Sequence, residues 1–331
     1  MNWRALPKVE LHLHLDCSLS YEVVHMFEPE ITIEQYNEQY KAPFNCNNLL
    51  EYIERAERAI QWMQTPEQLR LVTLDLFKQL KEDGVIYAEM RFAPLQHLRS
   101  GLSAEEVVET VCSATEEGKR VYGLEAGIIL CTLRHYTEVQ SMQTVQLADK
   151  FYSSGVVGFD IAADEVNYTL DAHVPAFTYA RERGINITAH AGEAVGASSV
   201  WQTLEQLKPS RIGHGVRSME DASLIEHLKT NDIHLEVCPT SNCHTKVCQS
   251  YVEHPVDQLY KQDVSMSINT DGRTISDISL SNEFEKLHTH FGWEKTQWYQ
   301  VSTEAIRHSF ASSEIKNQLL EKVNVHLGNT E

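Results

Sequence analysis

Val9-Glu10-Leu11-His12-Leu13-His14-Leu15-Asp16 alternates apolar and polar residues with a period of two. As a strand it puts Val9, Leu11, Leu13 and Leu15 on one face and Glu10, His12, His14 and Asp16 on the other. Packing the apolar face under helices turns the polar face into the interior, where imidazoles and carboxylates need partners. A single histidine there reads as a core residue with a satisfied hydrogen bond. Two at H-x-H spacing read as a ligand pair for a metal ion.

Seven more strand-like runs follow, at 85–92, 127–133, 156–161, 186–189, 211–214, 234–238 and 265–269, with helical periodicity between them. Eight strands alternating with helices predict an α/β fold of the (β/α)8 TIM-barrel type. The interval 20–83 is too long for one crossover helix. Leu49, Leu50, Ile53 and Ile60 recur on one helical face and 66–80 forms a second helical run, so an extra helical segment is expected over the barrel mouth. Residues 1–331 contain no low-complexity stretch, no Pro/Gly-rich linker and no repeat beyond this alternation, and are read as one domain.

Composition narrows the class of partner. Lys and Arg number 28 against 47 Asp and Glu, a net charge of −19, which repels the phosphate backbone of nucleic acids. A hydrophobic fraction of 42% over 331 residues supports a large core and excludes disorder. No apolar run approaches the ~18 residues of a membrane span, and 1–16 lacks a basic, then apolar, leader. A cytoplasmic protein is expected, and nothing in the sequence sets its oligomeric state. Seven cysteines without a C-x-x-C pair suit reduced thiols. Cys238, Cys243 and Cys248 beside His244 were weighed as a metal cluster and are read as structural thiols.

Three further polar clusters close expected strands: Thr188-Ala189-His190-Ala191-Gly192-Glu193, Arg211-Ile212-Gly213-His214-Gly215, and Asn269-Thr270-Asp271-Gly272. Taken alone, each is an ordinary turn, and Asp-Gly is a common one. With the His12/His14 strand they occupy the C-terminal strand ends, the face on which barrel enzymes build their sites. Three imidazoles and one carboxylate suit Zn²⁺ and leave a position for water.

These motifs carry a family resemblance. In order along the chain, Leu11-His12-Leu13-His14-Leu15-Asp16, Glu89-Met90-Arg91-Phe92-Ala93-Pro94, Gly158-Phe159-Asp160, Asp164-Glu165, His190-Ala191-Gly192-Glu193, Gly213-His214-Gly215, Cys238-Pro239-Thr240-Ser241-Asn242 and Asn269-Thr270-Asp271 resemble the adenosine deaminases of the amidohydrolase superfamily. The resemblance implies that His12, His14, His190 and Asp271 bind one Zn²⁺, that Glu193 faces purine N1, and that His214 lies beside the attacking water. It implies hydrolysis of adenosine and 2′-deoxyadenosine to inosine and 2′-deoxyinosine with release of ammonia, in purine salvage. The small-molecule partner is then a purine nucleoside, with Asp16 at the ribose 5′-hydroxyl and the Ala163 amide at N3. Zinc brings the pKa of bound water to about 7, and an acid such as Glu193 supplies the proton N1 must gain as C6 becomes tetrahedral.

Two comparisons sharpen that reading. Binuclear relatives carry a carboxylated Lys after the fourth strand, and 159–166 has no Lys, which favours one metal; the other zinc deaminases need P-C-x-x-C. The sequence departs from the resemblance at Cys17, where Gly is usual, at Ala163, where Gly is usual, and at Gly272, in place of a second Asp that contacts N7. Ala163 keeps its N–H, and a negative φ is expected to preserve that contact. Two other readings share the motifs: deamination of another 6-aminopurine, such as adenine or an adenosine-containing metabolite, and a catalytically silent nucleoside-binding protein. Ammonia release from a 6-aminopurine panel separates all three.

Overall fold

The computed structural model describes residues 1–43, 46 and 49–327, without the side chains of 49, 50, 53 and 327. All eight expected strands are present: β1 (Lys8–His14), β2 (Val85–Phe92), β3 (Glu125–Leu133), β4 (Val156–Ala162), β5 (Thr188–Ala191), β6 (Arg211–His214), β7 (His234–Val237) and β8 (Met266–Ile268). They form two parallel arcs, β1-β2-β3-β4 and β5-β6-β7-β8. Bridges between Phe159 and Ile187 and between Leu13 and Asp271 join the arcs. At the second seam the His14 amide donates to the Asp271 carbonyl at 2.6 Å, and the Asp271 amide to the His12 carbonyl at 3.0 Å. The sheet is thus closed into a TIM barrel, and its seam falls between residues expected to share a site.

β5 starts two residues later than the sequence suggests and β8 is shorter than expected, and in each case an Asn side chain takes over from the ladder. Asn186 precedes β5 and donates from Nδ2 to the Val157 carbonyl at 2.9 Å. Asn269 follows β8, and its Oδ1 accepts from the Leu11 and His12 amides at 2.7 and 3.1 Å.

Helices surround the strands. Between β1 and β2 lie α1 (Tyr21–Phe27), α2 (Ile33–Tyr40), α3 (Leu49–Ile60) and α4 (Pro66–Glu82). Around the rest of the barrel run α5 (Ala104–Tyr122), α6 (Glu138–Phe151), α7 (Val174–Arg183), α8 (Ala197–Gln206), α9 (Ala222–Thr230), α10 (Pro239–His244) and α11 (Val256–Lys261), then α12 (Leu280–Phe291), α13 (Lys295–His308) and α14 (Ser313–Leu327). Reciprocal caps start several of them, including Thr32 with Gln35, Ser103 with Glu106 and Thr137 with Gln140. The apolar pattern at Leu49, Leu50 and Ile53 lies outside the described side chains. Ile60, by contrast, is buried with Cys46, Tyr52, Ala56 and Ile275 in a small cluster apart from the main core. Among the described residues no helix is long and apolar enough to cross a membrane.

The inward strand face is charged. Arg91 binds Asp160 and Glu236, each at 2.7 Å, and Arg211 binds Glu89 at 2.6 Å and Glu236 at 2.7 Å, all with fully buried side chains. Buried ion pairs add little net stability once desolvation is counted. What this lattice does is fix two carboxylates, Asp160 and Glu236, directly beneath the strand-end histidines.

Candidate active site

Strand alternation delivers His12 and His14 from β1, and the ends of β5 and β6 deliver His190 and His214. Asp271, just past β8, sits at φ +65, which turns its carboxylate back over the barrel axis. Its Oδ1 lies 3.5 Å from His12 Nε2 and 3.4 Å from His14 Nε2. His14 Nε2 and His190 Nε2 approach to 3.2 Å. His12, His190, His214 and Asp271 also form a group whose ligand atoms lie within 4.8 Å of one another. The structure therefore gathers all five residues singled out from the sequence.

The opposite ring nitrogens show which lone pairs are free. His12 Nδ1 donates to Glu236 Oε2 at 2.9 Å, and His190 Nδ1 to Asp160 Oδ2 at 3.0 Å. Each ring then carries a lone pair on Nε2, aimed at the shared centre. His12 Nε2 is buried without a hydrogen-bond partner. Burial pushes His14 and His190 below the usual imidazole range, keeping them neutral and able to act as donors to a metal. Burial opposes ionisation of Asp271, but the close approach of the His12 ring and of the other histidines around it holds its carboxyl well below the usual range. Converging imidazole lone pairs and an ionised carboxylate fit a divalent metal.

Glu193 follows β5 in a tight turn and faces His214, with Oε2 3.6 Å from Nε2. Burial first, then the charges of Asp271 and Glu165, push its carboxyl well above the ordinary range, which favours its protonated form. Glu165 holds the turn in place: its carboxylate accepts from the amides of Gly192, Glu193, Ala194 and Val195 at 2.7, 3.1, 2.7 and 3.0 Å. On α10, Ser241 Oγ donates to Asp271 Oδ2 at 2.6 Å. In the sequence Asp160, Glu165 and Ser241 stand only as letters of motifs, with no sign of these functions. Glu236 alone had a readable signal, since alternation from His234 turns both inward on β7.

Beside this centre opens a cavity of about 150 Å³. His14, Asp16, Cys17, Ala163, His190, Glu193, His214 and Asp271 line it, with Tyr52, Ala56, Glu57 and Ile60 contributed by α3. Burial pushes Asp16 up to about 6. Ala163 stands at φ +77, so the negative φ that the sequence reading made the condition for its N–H contact is not met. Alanine pays roughly 1–2 kcal/mol for that left-handed conformation, so the backbone keeps a glycine-like course at this wall. Cys17 and Gly272 are in contact: a Cβ placed on Gly272 would stand 2.7 Å from Cys17 Cβ.

Comparison with known proteins agrees with the motifs. The sequence profile of the adenosine deaminase family matches residues 7–326. An adenosine deaminase of Clostridium acetobutylicum is 36% identical over 325 residues, covering 96% of this chain and 97% of its own. Among solved structures, an adenine deaminase from Arthrobacter aurescens superposes with a TM-score of 0.88 at 24% identity, covering 98% and 99% of the two chains. An Arabidopsis N6-mAMP deaminase gives 0.86 at 26% identity, covering 98% and 100%.

Proposed function

This chain belongs to the adenosine deaminase family, whose chemistry is hydrolytic purine deamination, and on that premise we propose that it converts adenosine and 2′-deoxyadenosine to inosine and 2′-deoxyinosine, releasing ammonia. The observation that carries the reading is the convergence of Glu193 with His12, His14, His190, His214 and Asp271 at one end of the cavity. The family and the buried His12/His190/His214/Asp271 group support a divalent metal, which we propose is a single Zn²⁺ held by His12, His14, His190 and Asp271. When bound, it supplies a Lewis acid that makes water nucleophilic at neutral pH.

The residues of the chain do the rest. Glu193 hydrogen-bonds ring N1 and transfers its proton there as water adds to C6, so the lost aromatic charge is neutralised where it develops. His214, facing Glu193, steadies the attacking oxygen. One proton of the attacking water restores the Glu193 carboxyl, the other passes from the C6 hydroxyl to the exocyclic nitrogen, and the C6–N bond breaks to release ammonia and leave a C6 carbonyl. Asp160 and Glu236 keep the His190 and His12 rings aligned throughout.

Cavity charge bears on the substrate. Away from the metal-binding end its walls carry the carboxyls of Asp16 and Glu57, which disfavour a phosphate and favour a neutral nucleoside over a nucleotide. Asp16, on the cavity wall, is the proposed partner of the ribose, and the wall at Ala163 that of the purine edge. The test is ammonia release from adenosine, 2′-deoxyadenosine, adenine and AMP, with metal content measured on the same sample.

A further inference from the structure

His214 Nδ1 faces away from the cavity, 3.1 Å from Asn242 Nδ2. Asn242 Oδ1 lies 3.2 Å from His254 Nε2. The Val256 backbone amide lies 3.0 Å from His254 Nδ1. His214, Asn242 and His254 are each at least 98% buried, so water does not compete for these contacts.

The direction of the whole chain follows from its last member. A backbone N–H can only donate, so His254 Nδ1 must accept and carries no hydrogen. His254 is neutral, its pKa pushed down to about 3 by burial, and its single hydrogen therefore sits on Nε2. That hydrogen requires an oxygen opposite, which orients the Asn242 amide with Oδ1 toward His254 and Nδ2 toward His214. An amide NH₂ donates, so His214 Nδ1 accepts and its hydrogen sits on Nε2, 3.6 Å from Glu193 Oε2. We propose that His254 and Asn242 are positioning residues that lock His214 as the Nε2–H tautomer, making it a hydrogen-bond donor to the reacting oxygen and keeping it out of the metal-ligand set.

This assignment explains how four histidines meet at one centre with different duties. His12 and His190 donate from Nδ1 to carboxylates and present Nε2 lone pairs. His214 has the reverse arrangement because an amide donor, in place of a carboxylate, stands behind it. α10 supplies that donor at Asn242 and the Asp271 partner at Ser241, two adjacent residues serving two different site groups.

The catalytic consequence rests on the deaminase reading, while the tautomer itself is measured without turnover. In metal-loaded protein labelled with ¹⁵N-histidine, His214, assigned by its loss in His214→Gln, is expected to show a protonated Nε2 and an unprotonated Nδ1. Asn242→Asp places an acceptor behind Nδ1 and is expected to move the hydrogen there. Catalytic histidines held in the wrong tautomer lose up to about 10⁴-fold in kcat. Asn242→Asp is accordingly expected to lower kcat for adenosine by at least ~10²-fold with KM within about threefold, as for an interaction made only in the transition state. His254→Leu, which frees the amide to turn over, is expected to lose ~10-fold or more, and His254→Gln, which restores an N–H toward Asn242, to recover most of that loss. A parent His214 protonated on Nδ1, or an Asn242→Asp protein whose tautomer and kcat match the parent, overturns the proposal. Absence of adenosine turnover in the parent would overturn the deaminase reading and leave the tautomer result standing.

Discussion

Gly272 and Cys17 are predicted to be an energetically coupled pair, and introducing the aspartate that the family resemblance implies at 272 tests this. A Cβ at 272 would lie 2.7 Å from Cys17 Cβ and 3.1 Å from the Cys17 carbonyl oxygen. Carbon atoms in good contact stay at least about 3.5 Å apart, so Gly272→Asp must displace β1's outgoing turn before its carboxylate can reach the cavity. Overpacking of this kind costs about 1–3 kcal/mol. Cys17→Gly removes the obstructing Cβ, and the double variant Cys17→Gly/Gly272→Asp is expected to recover at least ~1 kcal/mol relative to the sum of the single changes. Urea unfolding of the four proteins measures the coupling; kcat/KM for adenosine and 7-deazaadenosine measures its use. The parent, with no carboxylate at 272, is expected to separate the two nucleosides by less than about tenfold, the value of one neutral hydrogen bond. Only the double variant is expected to discriminate more strongly. Neighbouring side chains do not substitute for it: Arg273 is tied to Glu10 and Asp83, and Ser276 to Tyr52. Additivity within ~0.5 kcal/mol, or a parent that already rejects 7-deazaadenosine by ~10³-fold, refutes the reasoning.

Glu193→Gln retains hydrogen bonding to N1 but has no proton to give, and it is expected to lose ~10²–10⁴ in kcat while keeping its metal and its circular dichroism spectrum; activity within a few-fold of the parent would place the donor elsewhere. His12→Ala or Asp271→Ala is expected to remove both metal and turnover, as read by elemental analysis beside the ammonia assay. Two metals per chain, both needed for turnover, would contradict the single-ion site. Acid should destabilise the fold through His97, buried against the Met63 carbonyl, with its pKa lowered by burial to about 4. The unfolded chain binds this proton near pH 6.5 and the folded chain does not, so the contribution is complete above pH 6.5 and is lost as pH falls toward 4, about 3 kcal/mol in all. Stability of His97→Gln measured against pH should show a flatter profile over that window; an unchanged slope would assign the acid sensitivity to other groups.

The barrel was legible because each strand carries its own signal. Alternation in 9–16 placed His12 and His14 on one inward face, and turn residues after β5, β6 and β8 marked His190, His214 and Asp271. The groups that direct them were not legible, because their meaning lies in contacts between distant segments. Glu236 supports His12 from 224 residues away, and Asn242 gives no sign in sequence that it stands behind His214. Backbone shape was equally hidden: Ala163 reads as an ordinary small residue, yet tertiary packing holds it at φ +77. Gly272 reads as half of an Asp-Gly turn until Cys17 is found where its side chain would go.

The most direct test is kcat/KM for ammonia release from adenosine, 2′-deoxyadenosine, adenine and AMP by metal-replete protein of known metal content. A site that hydrogen-bonds a ribose and surrounds it with carboxylates should favour both nucleosides over adenine and AMP by about 100-fold or more, with one metal per chain. Preference for adenine or AMP, or no ammonia from adenosine by fully loaded protein, would contradict the account.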